Sequence, residues 1–130
     1  MTIKEFSART GVTADTLRYY ERMGLIPAVP RKAGGVRVYD ENFVEWINFV
    51  QTLKASGMSL EAIANYIRLA KLGEQTCQQR KNLLAQAREL LRQKIEALQN
   101  MAQQADYQLM SYDTVLRPRT DSLVSSFATA

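Results

Sequence analysis

Residues 8–26 read Ala8-Arg9-Thr10-Gly11-Val12-Thr13-Ala14-Asp15-Thr16-Leu17-Arg18-Tyr19-Tyr20-Glu21-Arg22-Met23-Gly24-Leu25-Ile26. The stretch holds the end of one helix, a turn and a second helix. Gly11-Val12 breaks the first. Thr13 then stands where a hydroxyl can accept from an unpaired first-turn amide of the next helix. Asp15 falls in that first turn, where the positive end of the helix dipole favours a carboxylate. The second helix runs from Ala14 to about Arg22 and stops before Gly24. Upstream, Thr2-x-x-Glu5 is a capping-box pattern that opens the first helix, with Ile3, Phe6 and Ala8 on its apolar side. Helix, tight glycine turn and helix make a helix-turn-helix.

The chain then changes character. Leu25-Ile26-Pro27-Ala28-Val29-Pro30 is too proline-rich for helix. Arg31 to Tyr39 reads as a small β-hairpin, with Gly34-Gly35 as its turn and Val36 and Val38 alternating with Arg37 and Tyr39. A hairpin in this place is a wing. Asp40 caps a third helix, Glu41 to about Ser56, on which Phe43, Ile47 and Val50 recur at helical spacing. Ser59 caps a fourth that runs to about Ala70, with Leu60, Ile63, Ala64 and Ile67 inward. Residues 1–70 therefore form a winged helix-turn-helix domain, and 71–76, with Gly73, form a linker.

Residues 77–116 contain no glycine or proline. Leu84, Ala87, Leu91, Ile95, Leu98, Ala102, Ala105, Leu109 and Tyr112 recur mostly by alternating threes and fours, which is coiled-coil spacing. A 40-residue helix is about 60 Å long, more than one small domain can cover. The expectation is a long antiparallel coiled-coil helix joining two identical chains through Leu84, Leu91, Ile95, Leu98, Ala102 and Leu109. The alternative is a helix folding back on its own domain. Thr76-x-x-Gln79 is a second capping-box match at its start. Pro118 ends it, leaving 117–130 as a loose tail. The fold class expected is mainly α.

Composition narrows the chemistry. The 130 residues include no histidine and one cysteine. The usual general base and the commonest metal ligand are missing, and a lone cysteine closes no disulfide within the chain, which suits a reducing cytoplasm. There is no apolar run long enough for a membrane span and no apolar core of a signal peptide near Met1. With no phosphate-cradling glycine loop and no nucleophile–base pair, the chain does not read as an enzyme, and no cofactor is expected. The net charge is +4. Residues 1–39 hold seven basic and three acidic side chains, and the rest balance at ten against ten. The whole surplus lies on the helix-turn-helix and wing, an electrostatic footprint for a polyanion.

Ala8-x-x-Gly11-Val12-x-x-x-Thr16-Leu17-Arg18-Tyr19-Tyr20-Glu21-x-x-Gly24-Leu25-Ile26 resembles the start of MerR-family transcriptional regulators. Arg31, Gly35-x-Arg37-x-Tyr39 and Gly57-x-Ser59-Leu60-x-x-Ile63 continue the likeness, which covers residues 1–70 closely and the long helix more loosely. Leu25-Ile26-Pro27, Trp46-Ile47 and Gly73-Glu74 lean towards the AdhR/NmlR-like branch, whose members respond to aldehydes or other electrophiles. The resemblance implies a homodimer on a pseudo-palindromic promoter. It also implies activation by distorting the double-stranded DNA, so that RNA polymerase is engaged indirectly through that DNA. On this view the second helix enters the major groove, with Thr13, Thr16, Arg18, Tyr19 and Tyr20 as contacts. Arg18 is the strongest candidate for a base or phosphate contact, against a surface ion pair with Asp15 or Glu21. Tyr20 turns either inward or onto the DNA backbone. Lys32, Arg37 and Tyr39 on the wing meet phosphate and the flanking minor groove, with core packing as the other reading of Tyr39.

The signal is less legible. Metal-sensing relatives carry a cysteine at the start of the long helix, where Cys77 stands, but also loop cysteines that 113–130 lack. Cys77 could instead be an electrophile-reactive thiolate at a helix N-terminus beside Arg80 and Lys81, or an inert thiol. In the electrophile-sensing branch the reactive cysteine lies in the helix after the wing, where this chain has Gln51-Thr52-Leu53. Two competing readings remain beside the regulator of a stress response to a small molecule or electrophile: a coiled-coil scaffold or adaptor, and a metal-responsive regulator using Cys77.

Overall fold

A computed structural model describes residues 1–129. They form two compact units, one from Met1 to Glu89 and one from Leu90 onward. The first holds helices α1 (Ile3–Thr10), α2 (Ala14–Met23), α3 (Glu41–Ala55) and α4 (Leu60–Lys71). Each begins at a side-chain cap. Thr2 Oγ1 accepts from the Glu5 amide at 3.2 Å, Thr13 Oγ1 from Thr16 at 3.2 Å, Asp40 Oδ1 from Asn42 at 2.9 Å and Ser59 Oγ from Ala62 at 3.1 Å. Such a cap is worth about 1 kcal/mol. Four helix starts were therefore written in local sequence.

The core of this unit is one apolar cluster. Phe6, Leu17, Leu25, Ile47, Val50 and Ile63 are fully buried in it. Phe6 and Ile3 face inward from α1, but Ala8 lies on the exposed side. Tyr39 sits at the centre of an aromatic stack. Its ring lies on Phe6 with centroids 4.5 Å apart and meets Phe43 edge-on at 5.6 Å. The backbone at Tyr39 is pinned as well. Its amide donates to the Met1 carbonyl at 2.8 Å, and the Met1 amine donates to the Tyr39 carbonyl at 2.6 Å.

The wing is simpler than the alternation of residues 31–39 suggested. Gly34 and Gly35 have φ of 90° and 79°, the left-handed pair that a tight reversal demands. Lys32 N donates to Val36 O at 3.0 Å and Val38 N to Pro30 O at 2.8 Å. Among the described residues, however, the only pairing here is a single antiparallel bridge between Arg31 and Arg37, not a ladder. Pro27 and Pro30 remove donors, and Val36 is left exposed with no surface to pack on, so nothing extends the pairing.

The long helix α5 spans Cys77–Met110. Its first turns belong to the first unit: Ala87 joins the apolar cluster and Leu83 packs against it. The compact unit thus runs past 70 and through the 71–76 linker. Thr76 is not the outward-facing cap that the pattern Thr76-x-x-Gln79 implied. It is buried, and its hydroxyl reaches back to the carbonyls of Leu69 at 2.8 Å and Gly73 at 2.7 Å.

In the second unit α5 stops at Met110, short of Leu116. The Ser111 hydroxyl donates to the Tyr107 carbonyl at 2.6 Å, a local competitor for the helical ladder. A π-turn follows at Tyr112–Leu116, and α6 covers Arg117–Thr129. The described part of the expected loose tail, 117–129, is therefore helical, and residue 130 lies outside the described residues. Pro118 falls in the first turn of α6, directly after the π-turn, and the chain stays helical through it.

Candidate nucleic-acid interface

Helix α2 presents a polar face built from its cap outward. The Thr13 hydroxyl accepts the Thr16 amide and donates to Thr16 Oγ1 at 2.8 Å, which fixes both side chains at the helix N-terminus. Arg18 and Tyr19 are exposed one turn on. Leu17 and Tyr20 are buried on the opposite side. Tyr20 therefore turns inward and is removed from the set of expected DNA contacts. Helical spacing decides this: Leu17, Tyr20 and Gly24 follow at three and four, and that side meets the core.

Arg18 pairs with Asp15 at 3.0 Å, with Asp15 almost fully solvated. An exposed pair one turn apart is worth only about 0.2–0.5 kcal/mol. A bidentate contact to a base is worth about 1–3 kcal/mol. The pair therefore holds Arg18 only weakly. Arg22, which the sequence reading passed over, lies one turn beyond Arg18 with its guanidinium 5.4 Å from the Tyr19 ring centre. Its spacing of four from Arg18 was the available signal.

The wing supplies Arg31, Lys32 and Arg37. Arg31 Nη1 donates to the Gly35 carbonyl at 2.9 Å and braces the turn; Lys32 is exposed. Arg37 is partly buried and donates from Nε to Glu21 Oε1 at 2.8 Å. The other Glu21 oxygen accepts the Val29 amide at 2.9 Å. Burial would raise the Glu21 carboxyl, but the Val29 amide, the Arg37 hydrogen bond and charge, and the Arg31 charge outweigh it, holding the group below the usual carboxylate range.

Tyr39 does not belong to this surface. Of the two readings open to it, DNA contact or core packing, the second holds: it is 1% exposed and stacked in the core. Burial pushes its phenol up, with Arg37, Glu21, Arg18 and Arg31 all close enough to act on it electrostatically. The wing is joined to α2 through Glu21, which accepts from both Arg37 and the Val29 amide. Of the expected contacts, Thr13, Arg18, Tyr19 and Lys32 are exposed, Thr16 is half-buried, Arg37 is tied to α2 through Glu21, and Tyr20 and Tyr39 are in the core.

Cys77 is exposed, and its Sγ accepts from Arg80 Nη2 at 3.2 Å. Arg80 also donates to Thr76 Oγ1 at 3.1 Å and lies over the Tyr66 ring at 5.8 Å. Among the described residues no group of three His, Cys, Asp or Glu side chains is placed to hold a metal ion. Nor is any helix there long and apolar enough to cross a membrane. Trp46, Phe49, Tyr66 and Ile67 line an open apolar groove of about 280 Å³ between α3 and α4.

Residues 1–70 match the MerR HTH family regulatory protein profile, and residues 44–106 match the profile described as MerR, DNA binding. The chain is 46% identical over 91 residues to the HTH-type transcriptional regulator AdhR of Bacillus subtilis, a match covering 70% of this chain and 65% of AdhR. The chain therefore spans just under two thirds of that relative's length. A MerR family transcriptional regulator from Listeria monocytogenes superposes with a TM-score of 0.67 at 37% identity, over 99% of this chain and 98% of that one. HiNmlR, a MerR family regulator lacking the sensor domain and solved bound to promoter DNA, superposes with a TM-score of 0.63 at 28% identity, over 89% and 92% of the two chains. On the capped, cationic helix-turn-helix and the family match that spans it, this chain belongs to the MerR family of DNA-binding transcriptional regulators.

Proposed function

We propose that the chain works in the cytoplasm as a homodimer on a pseudo-palindromic promoter element. In this reading α2 enters the major groove with Thr13, Thr16, Arg18 and Tyr19, while Lys32 and Arg37 grip phosphate beside it. The observation that carries the DNA assignment is the displaceable, solvent-exposed Arg18 on a helix whose N-terminus is fixed by Thr13 and Thr16. The dimer is carried by the apolar seam. Leu84, Leu91, Ile95, Leu98 and Leu109 are 36–77% exposed in the single chain, and Ala102 is exposed with them. A partner helix in antiparallel orientation would remove that surface from water at about 25 cal/mol per Å². Two winged domains on one stiff coiled coil suit activation by DNA distortion, in which the bend itself is the signal to RNA polymerase. The inducer is a small molecule or an electrophile. The Trp46–Phe49–Tyr66 groove offers an apolar site for the first and Cys77 a thiol for the second.

The test is a duplex recovered by the wild-type protein from a random-sequence pool, with affinity measured by fluorescence anisotropy across a salt series. Arg18→Ala should weaken binding by about 1–3 kcal/mol and relax preference at one position of each half-site. Wild-type affinity that ignores salt would exclude phosphate contacts and sink the reading. A scaffold or adaptor would keep its dimer and show no retained duplex at all.

A further inference from the structure

We infer that Glu21 is the positioning residue of the DNA-binding surface: its carboxylate locks the wing to α2 and aims the Arg37 guanidinium at the phosphate backbone. This rests on the reading of α2 and the wing as the DNA-contacting elements.

Glu21 is the one acidic side chain on the otherwise cationic second half of α2. A carboxylate there opposes a polyanion, so long-range electrostatics alone would favour its loss. The structure shows what it does instead. Both oxygens are engaged, and by different parts of the chain. Oε2 takes the Val29 backbone amide, just before the wing, at 2.9 Å, and Oε1 takes Arg37 Nε, on the wing's return, at 2.8 Å. The two anchor points flank the turn, so one carboxylate ties both ends of the wing to a single turn of α2. The pairing is sheltered, with the Glu21 side chain 16% and Arg37 24% exposed, so water competes weakly for it.

The choice of Nε matters. A guanidinium is planar and carries five N–H groups in a rigid fork. Held through Nε, its two terminal amino groups remain, and among the described residues they have no protein partner. Fixing the plane through one edge leaves the other donors aimed, with less rotational freedom to lose on meeting a phosphate. Among the described residues the wing pairs through one bridge, so no ladder sets its angle. Tyr39 anchors its far end to Met1 and the core, and Glu21 adds the tie to α2.

The experiment uses the full chain and the duplex recovered from a random pool, with affinity measured across a potassium chloride series. Glu21→Gln should bind roughly tenfold more weakly although it removes a negative charge, and Arg37→Ala should lose a similar amount. The double variant should be no weaker than either single, because both disable one device. Arg37→Lys should keep the charge, the ion pair and the wild-type melting temperature, yet bind as poorly as Arg37→Ala, since its single ammonium is spent on Glu21. In Arg37→Ala the slope of log K against log salt should fall by about one. Glu21→Gln binding as tightly as wild type, losses that add in the double variant, or wild-type binding by Arg37→Lys would each overturn the inference. The lysine variant decides the matter if Glu21→Gln fails to fold. Failure of the DNA-binding reading looks different: no duplex is retained by the wild type, or Arg18→Ala changes nothing.

Discussion

Replacing Tyr39 with phenylalanine should stabilise the protein and leave DNA affinity unchanged. The Tyr39 hydroxyl is buried and makes no hydrogen bond to a described protein group. A buried hydroxyl without a partner costs about 1–3 kcal/mol relative to water. Phenylalanine removes that oxygen and keeps the ring, so the 4.5 Å stack on Phe6 and the edge contact with Phe43 survive. The small void left by the oxygen returns part of the gain. The net expectation is about 1 kcal/mol of added stability. For a chain of this size that is a rise of about 3–5 °C in melting temperature. Tyr39→Ala is the companion measurement. It deletes the ring from the core centre and should cost about 3–5 kcal/mol, a large share of a typical domain's stability. Circular dichroism melts read the stability, and anisotropy on the selected duplex reads the binding. A Tyr39→Phe protein that melts lower, or that folds normally but loses DNA affinity, would refute the reasoning and reinstate the hydroxyl as a contact.

Three further outcomes are expected. Gly73 has φ of 107° and ψ of −173°, a conformation open essentially to glycine alone. A Cβ there would also meet the Gln75 side-chain oxygen at 2.8 Å, which can swing away, so strain dominates. Gly73→Ala should cost about 1–3 kcal/mol in thermal or urea unfolding, and an unchanged midpoint would contradict this. The Glu21 carboxyl is held below its usual range in the fold. Its stabilising contribution is therefore complete above the unfolded value, and it is lost as pH falls below about 5 and through the folded value. Glu21→Gln should flatten the acid side of the stability profile, and a profile identical to wild type would count against the carboxylate pairing. Leu98→Asp places a charge in the proposed seam. Sedimentation should report a monomer at micromolar concentration for this variant and a dimer for wild type; a persistent dimer would move the interface elsewhere.

The sequence by itself determined helices α1–α4 and the class of partner. Thr2, Thr13, Asp40 and Ser59 cap their helices through hydrogen bonds spanning two or three residues, and such contacts are written locally. Three-and-four spacing puts Leu17 and Tyr20 on one side of α2, but only packing showed that side to be buried. The location of the surplus charge within residues 1–39 needed only counting. Tertiary structure decided everything that depends on distant residues. Tyr39 alternates correctly for a wing face, yet Phe6 and Phe43 claim its ring, and no local pattern encodes that stack. Thr76 carries a cap signature, but Leu69 and Gly73 accept its hydroxyl from behind. Pro118 reads as a stop, yet the chain stays helical through it, from the π-turn at Tyr112–Leu116 into α6. Glu21 read as a candidate ion-pair partner for Arg18, one turn before it. Only the folded chain brings its two oxygens to Val29 and Arg37, eight and sixteen residues away. Short-range hydrogen bonds and periodicity survive the reading of a string; a carboxylate bridging two elements exists only once they have met.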